Sequence, residues 1–179
     1  HRSRSRLCHS GGMLDDLLDG NRRFASGFGG GDRPKLPRRR LAVLTCMDCR
    51  LEPLASLGLE PGDAVVVRNA GGRASDDALR SLGLACRLLD TKEVVVVHHT
   101  DCALAGQTEA ALRDRLEQAG AADAGRWAYL AMPDPDVALR EDVERVRAFP
   151  LITEGVTVAG WRYDVSTGEV ASVVPADPQ

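Results

Sequence analysis

Apolar and polar residues alternate in blocks along this 179-residue chain, and the period of the blocks changes. The first block, "MLDDLLDGNRRFASGF", sets Met13, Leu14, Leu17, Leu18 and Phe24 at helical spacing, and "GFGGG" stops it. "DRPKLPRRR" follows as a loop whose arginine run, 38–40, forms a solvated face. "LAVLTC" (41–46), "AVVVRNAGG" (64–72) and "EVVVVHH" (93–99) are short, largely apolar runs that suit strands buried on two sides. Between them, "LEPLASLGL" predicts a short helix. "ASDDALRSLGLACRLLD" (74–90) predicts a longer one, with Ser75 as N-cap and Asp76 and Asp77 in a first turn that favours negative charge. "ALAGQTEAALRDRLEQAG" and "DPDVALREDVERVRAF" (134–149) carry further helical patterns. "GVTVAGWRYDV" and "EVASVVP" flank "STG" and read as a terminal hairpin.

Strands that alternate with helices predict an α/β fold: a parallel central sheet covered on both faces. Right-handed crossovers leave few arrangements. If strand 64–72 lies on one side of strand 41–46 and strand 93–99 on the other, the last two flank a topological switch point. Ligands in such sheets bind outside the strand C-termini at that point.

Composition changes this picture little. With 44% hydrophobic and 27% charged residues, the chain is that of one globular domain with a sizeable core. A net charge of −3 gives no electrostatic case for a nucleic-acid partner. No run of 18 apolar residues exists, so no transmembrane helix is expected. The opening "HRSRSRLCHSGGM" is basic, lacks a long apolar core and does not read as a secretory signal. Residues 1–12 read as a disordered arm or a remnant of expression, and 13–179 as the domain. Five cysteines, an odd number, do not resemble a secreted disulfide framework. The expectation is a reducing cytoplasm, where clustered cysteines bind metals or catalyse. Cys86 shares the apolar side of its helix with Leu79, Leu82 and Leu89 and reads as an inert core thiol.

The remaining chemistry collects at strand ends. Cys46 closes the first strand, and "HHTDC" closes the third, so Cys46 is expected to face His99 and Cys102 across the switch-point crevice. Two thiolates and an imidazole on rigid strand ends make a zinc site. Spacing does not choose between His98 and His99, because either reaches Cys102, while one strand position reverses a side chain. The fourth position is open to water, Asp48 or Cys49. Water makes a catalytic site, and Cys49 a closed structural one. Asp48 and Arg50 favour the former: Arg50 can hold Asp48 ionised and off the metal, leaving that position to a water whose pKa zinc lowers to about 7. Gly71 and Gly72 of "RNAGG" allow close backbone approach to a small ligand. "CMDC" is also a CxxC, but a redox role leaves His99, Cys102 and the Asp–Arg pair without a purpose.

"CMDCR", "RNAGG" and "HHTDC", in this order and at these separations, resemble the β-class carbonic anhydrases, above all their short, mycobacterial-type branch. The likeness runs from about Met13 to Pro175 and includes "LDTKEVVVVHHTDC" and "GWRYDVSTGEV". It implies zinc held by Cys46, His99 and Cys102, with Asp48 and Arg50 as a catalytic dyad. In some members of the family the Asp swings onto zinc, which makes Asp48 a possible fourth ligand in a closed state. It implies reversible hydration of carbon dioxide to bicarbonate by zinc-bound hydroxide. It also implies a four-stranded, mainly parallel sheet with an added antiparallel strand, helices on both faces, and a homodimer or higher homo-oligomer in which an N-terminal helical arm, residues 13–26, wraps the partner. Two positions depart from the family pattern. Cys49 stands where Ser or Ala is usual, and Ala103 where Gly is usual, adding a methyl group to the substrate pocket beside Gly71 and Gly72. Relatives on this scaffold hydrolyse carbonyl sulfide or carbon disulfide, linear molecules like carbon dioxide, and these are the alternative substrates. A non-catalytic zinc protein with a closed site is the other alternative.

Overall fold

A computed structural model describes residues 12–178. The expected disordered arm at 1–12, with Cys8, therefore falls outside the described residues except for Gly12. The chain divides into two compact units, one reaching Arg33 and one beginning at Pro34.

The first unit contains helix α1, Met13–Ser26. Its polar face carries Asp15 and Asp16 in the first turn and Arg23 in the last, matching the helix dipole. Its apolar face is not buried: Met13, Leu14, Leu17, Leu18 and Phe24 are each at least 58% exposed.

The second unit is built on strands β1 (Leu41–Cys46), β2 (Ala64–Asn69), β3 (Glu93–His99), β4 (Thr157–Tyr163) and β5 (Val170–Pro178). Their order in the sheet is β2-β1-β3-β4-β5. The first three pairings are parallel, and β4 with β5 is antiparallel, the expected terminal hairpin. Register aligns Leu41 with both Ala64 and Glu93, so β1 and β3 end side by side. The chain leaves β1 for β2 on one side and returns to β3 on the other. This reversal is the switch point, and it sets Cys46 and His99 at one edge.

The helices of this unit are α2 (Asp76–Leu88), α3 (Glu109–Gln118) and α4 (Pro135–Arg147). Ser75 caps α2 as expected: its hydroxyl accepts from the Ala78 amide. Asp134 caps α4 in the same way, with Pro135 in the first turn. One sheet face, formed by Ala42, Leu44, Val94, Val96 and Val158, packs against Leu79, Leu82 and Cys86 of α2 and Leu139, Val143 and Val146 of α4. Each fully buried leucine or valine there contributes about 1.5–3 kcal/mol. Burial pushes the Cys86 thiol pKa up, as suits an inert core residue.

The other face, formed by Val43, Val95, Val97 and Ala159, is covered differently. Leu57 packs on it from a 3₁₀ turn at Ala55–Leu57, with Leu41, Trp161 and Tyr163 nearby. Both faces are covered, but α2 and α4 share the first, and that one turn packs on the second. The helix expected in "LEPLASLGL" is thus a single turn, bracketed by Pro53 and by Gly58 at φ 66°. The α3 pattern also shortens. Thr108 caps the helix, and the preceding residues form a loop in which Ala105 bridges to Met132. No described helix is long and apolar enough to cross a membrane.

Candidate metal centre

Cys46 is the last residue of β1, and His99 the last of β3. Cys102 follows in a tight turn where Asp101 takes a left-handed φ of 55°, a conformation aspartate tolerates. The two sulfurs and a ring nitrogen of His99 lie within 4.8 Å of one another, and all three residues are buried. His98, one step earlier on β3, points away from this group to Asp142 on α4.

The donors suit a soft-to-borderline divalent cation. His99 Nδ1–H donates to the Thr100 carbonyl at 2.8 Å, which leaves the Nε2 lone pair free for a ligand role. Nε2 is buried and makes no hydrogen bond of acceptable geometry among the described residues. A hydrogen bond from Cys102 is the main cause that lowers the Cys46 thiol pKa, against the opposing effect of burial; His99 and the backbone at Asp48 and Gly71 lower it further. The same bond pushes Cys102 up. Burial draws the His99 pKa down, but the Cys46 sulfur and the Thr100 carbonyl outweigh it. Two thiols and an imidazole are a three-ligand set for zinc, and binding would take both sulfurs as thiolates.

Asp48 and Arg50 stand beside this group. The Arg50 amide and Nε donate to Asp48 Oδ1 at 2.9 and 3.0 Å, and Nη2 donates to Oδ2 at 2.7 Å. These bonds hold the Asp48 carboxyl well below the usual range. Asp48 Oδ2 lies 3.9 Å from His99 Nε2, so the dyad is at the edge of the cluster while the carboxylate faces the arginine. Arg50 also binds the second candidate segment, 99–102: Nη1 donates to Asp101 Oδ2 at 2.7 Å and Nη2 to the Asp101 carbonyl at 3.0 Å. Two aspartates together push the Arg50 pKa up.

A second arginine holds the loop from behind. Arg68, near the end of β2, donates to the carbonyls of Cys46 (2.9 Å), Asp48 (2.6 Å) and Leu51 (3.3 Å). Neither Arg68 nor Asp101 stands out in a reading of the sequence. Both carry faint marks there: an arginine closing an apolar strand, and an acid between two candidate ligands.

A cleft of about 530 Å³ opens in front of the cluster, lined by Cys46, Cys102, the dyad and the apolar side chains of Met47, Ala103 and Leu104. Gly71 lies on its wall with φ 77°; a Cβ there would come within 2.9 Å of Leu104 Cδ1. Gly72 does not line the cleft but sits behind it. With φ 68°, it leaves no room for a side chain, because a Cβ would meet the Cys46 nitrogen at 2.9 Å. Cys49 is exposed on the cleft rim and is not among the mutually close ligand atoms.

Comparison with known proteins shows the family. The sequence profile of the carbonic anhydrase family matches residues 41–170. Beta-carbonic anhydrase 1 of Mycobacterium tuberculosis is 36% identical over 166 residues, covering 91% of this chain and 99% of the relative. A carbon disulfide hydrolase of Acidithiobacillus thiooxidans is 38% identical over 152 residues, covering 74% of this chain and 76% of its own. The crystal structure of a carbonic anhydrase from Streptococcus mutans superposes with a TM-score of 0.86 at 39% identity, over 92% of this chain and 99% of that one. On its fold, its motifs and these relationships, the chain belongs to the β-carbonic anhydrase family.

Proposed function

We propose that this protein is a zinc lyase that hydrates carbon dioxide reversibly to bicarbonate and a proton. One observation carries the reading: a buried Cys46–His99–Cys102 cluster, with an unpartnered imidazole nitrogen, beside an arginine-held carboxylate. Cys46, His99 and Cys102 hold the metal. When bound, zinc acts as a Lewis acid and lowers the pKa of a water to about 7.

The other steps belong to the chain's own groups. Arg50 keeps Asp48 ionised and turned from the metal. Asp48 Oδ2 accepts a hydrogen bond from the attacking water and orients it, while the released proton passes to solvent. Met47, Ala103 and Leu104 give the linear, apolar substrate an apolar wall, and the Gly71 backbone approaches without a side chain between. Bicarbonate leaves through the open cleft.

The second reading is hydrolysis of carbonyl sulfide or carbon disulfide at the same site. It is favoured by the apolar wall and by the carbon disulfide hydrolase relative. Stopped-flow hydration of carbon dioxide, run beside sulfide release from the other two substrates, separates the readings. No hydration between pH 7 and 9 by zinc-loaded protein would sink the first.

We also assign a second copy of the chain as partner. Support comes from the exposed apolar face of α1, which needs a surface to cover it. Leu17→Glu with Leu18→Glu should lower the mass measured by light scattering; an unchanged mass would refute the arm's role. The described cysteines are all free, which fits a reducing compartment such as the cytoplasm.

A further inference from the structure

Behind the metal centre lies a second cluster of polar side chains. Asp142 of α4 is fully buried, Arg73 is 5% exposed and His98 is 3% exposed. Asp142 accepts four hydrogen bonds. Arg73 Nε donates to Oδ2 at 2.6 Å and Nη2 to Oδ1 at 3.3 Å. The Ala74 amide donates to Oδ1 at 3.1 Å, and His98 Nε2 to Oδ2 at 3.1 Å. The carboxylate only accepts, so Nε2 carries the imidazole proton.

Stability alone does not account for such a cluster. Well-packed apolar side chains often replace a buried ion pair with no loss of stability. What distinguishes this one is where its members lead. Arg73 directly follows Gly72, which packs so closely on the Cys46 backbone that a Cβ there would meet the Cys46 nitrogen at 2.9 Å. His98 directly precedes His99. Arg73 Nη1 donates to the carbonyls of Leu130 (2.5 Å) and Ala131 (3.1 Å). The next residue, Met132, exchanges two backbone hydrogen bonds with the loop that follows Cys102: it donates to Leu104 and accepts from Gly106. Each of the three ligand-bearing segments is thus tied, through one to three residues, to a single carboxylate.

We propose that Asp142 is a positioning residue that keeps Cys46, His99 and Cys102 in register for the metal. It touches neither metal nor substrate and acts through Arg73 and His98. This inference rests on the reading that those three residues hold zinc.

The test compares wild type, Asp142→Ala and Val146→Ala, the last a core truncation one turn along the same helix that removes no hydrogen-bonding group. Each protein is loaded with zinc, and release to a chelator is timed. Each is also loaded with cobalt(II), and its visible spectrum is recorded as a reading of ligand geometry. Thermal stability is measured on the metal-free proteins. We expect Asp142→Ala to release zinc about tenfold faster, the lower end of losses seen when groups behind metal ligands are removed, with an altered cobalt spectrum. Val146→Ala should lower the melting temperature yet leave release and spectrum unchanged. Wild-type release and spectrum in Asp142→Ala, or equal acceleration in Val146→Ala, would overturn the proposal. Should Asp142→Ala not fold, Arg73→Lys carries the test. It keeps the charge but loses the forked contacts, and wild-type release and spectrum there overturn the proposal equally. If wild type itself fails to take up zinc, the reading of the site has failed instead, which a zinc-binding wild type with a silent Asp142 variant would not imply.

Discussion

Two neighbouring histidines at the end of β3 enter opposite kinds of cluster. His98 turns to α4 and meets a carboxylate already joined to a guanidinium, so imidazole, Asp142 and Arg73 form a group whose charges balance. His99 turns to the switch-point edge and meets two thiols, with no cationic side chain among them. The two guanidinium groups beside them are committed elsewhere, Arg50 to Asp48 and Asp101 and Arg68 to backbone carbonyls. The strand supplies the same side chain twice, and what differs is the element opposite. A cluster complete in itself is suited to brace; a cluster rich in donors to a cation and poor in cations is suited to hold one.

The comparison breaks most visibly under paired truncation. His99→Ala should lose stoichiometric zinc, read by metal analysis after dialysis, and hydration should fall to background. His98→Ala should keep stoichiometric zinc and be destabilised by about 1–3 kcal/mol, the usual cost of disturbing a buried hydrogen-bonded group, measured by urea unfolding. Equal zinc loss in both variants would erase the distinction.

Asp142→Ala leaves Arg73 buried without its counter-charge, and unfolding should show a loss of about 3–5 kcal/mol. A loss under 1 kcal/mol would mean that the pair is not closed to water. Arg50→Ala should keep zinc but reduce turnover about a hundredfold, the scale of removing one orienting polar group from an active site. Full activity would refute the dyad's role.

The smallest effect is a pH dependence. Burial raises the Asp142 pKa, but the hydrogen bonds from His98 and Arg73 outweigh it, and the carboxyl lies below its ordinary range. The unfolded carboxyl, near pH 4, therefore takes up a proton before the folded one. The stabilisation is complete above that pH and is lost as pH falls through the folded value. The melting temperature of wild type should drop more steeply below pH 5 than that of Asp142→Asn. Parallel curves would show that Asp142 does not set the slope.

Much of this was legible in the residues. The bounds of β1 and β3 agree with the runs "LAVLTC" and "EVVVVHH", because strands buried on both faces show as unbroken apolar stretches, 41–44 and 94–97, at their centres. Cys46 and the "HHTDC" segment could be placed opposite each other from strand order alone. The choice of His99 over His98 could not, since period-two alternation says only that they diverge, not which side holds the thiols. Arg68 and Asp142 are silent for another reason. Their partners are 17 to 22 and 44 to 69 residues distant, and all three of Arg68's are backbone carbonyls, which no side-chain pattern records. "LEPLASLGL" misled because its apolar spacing serves a single turn pressed on the sheet by Leu57.

The carbonyl grip of Arg68 has a consequence for how this site can diversify. A guanidinium that holds Cys46, Asp48 and Leu51 by their main chain is indifferent to the side chains the loop displays. Positions 47 and 49, which both face the cleft, are thereby released from any duty in holding the loop's course. A lineage, or a mutant library, can replace Met47 and Cys49 freely to reshape what the cleft admits, while the sulfur of Cys46 keeps its place.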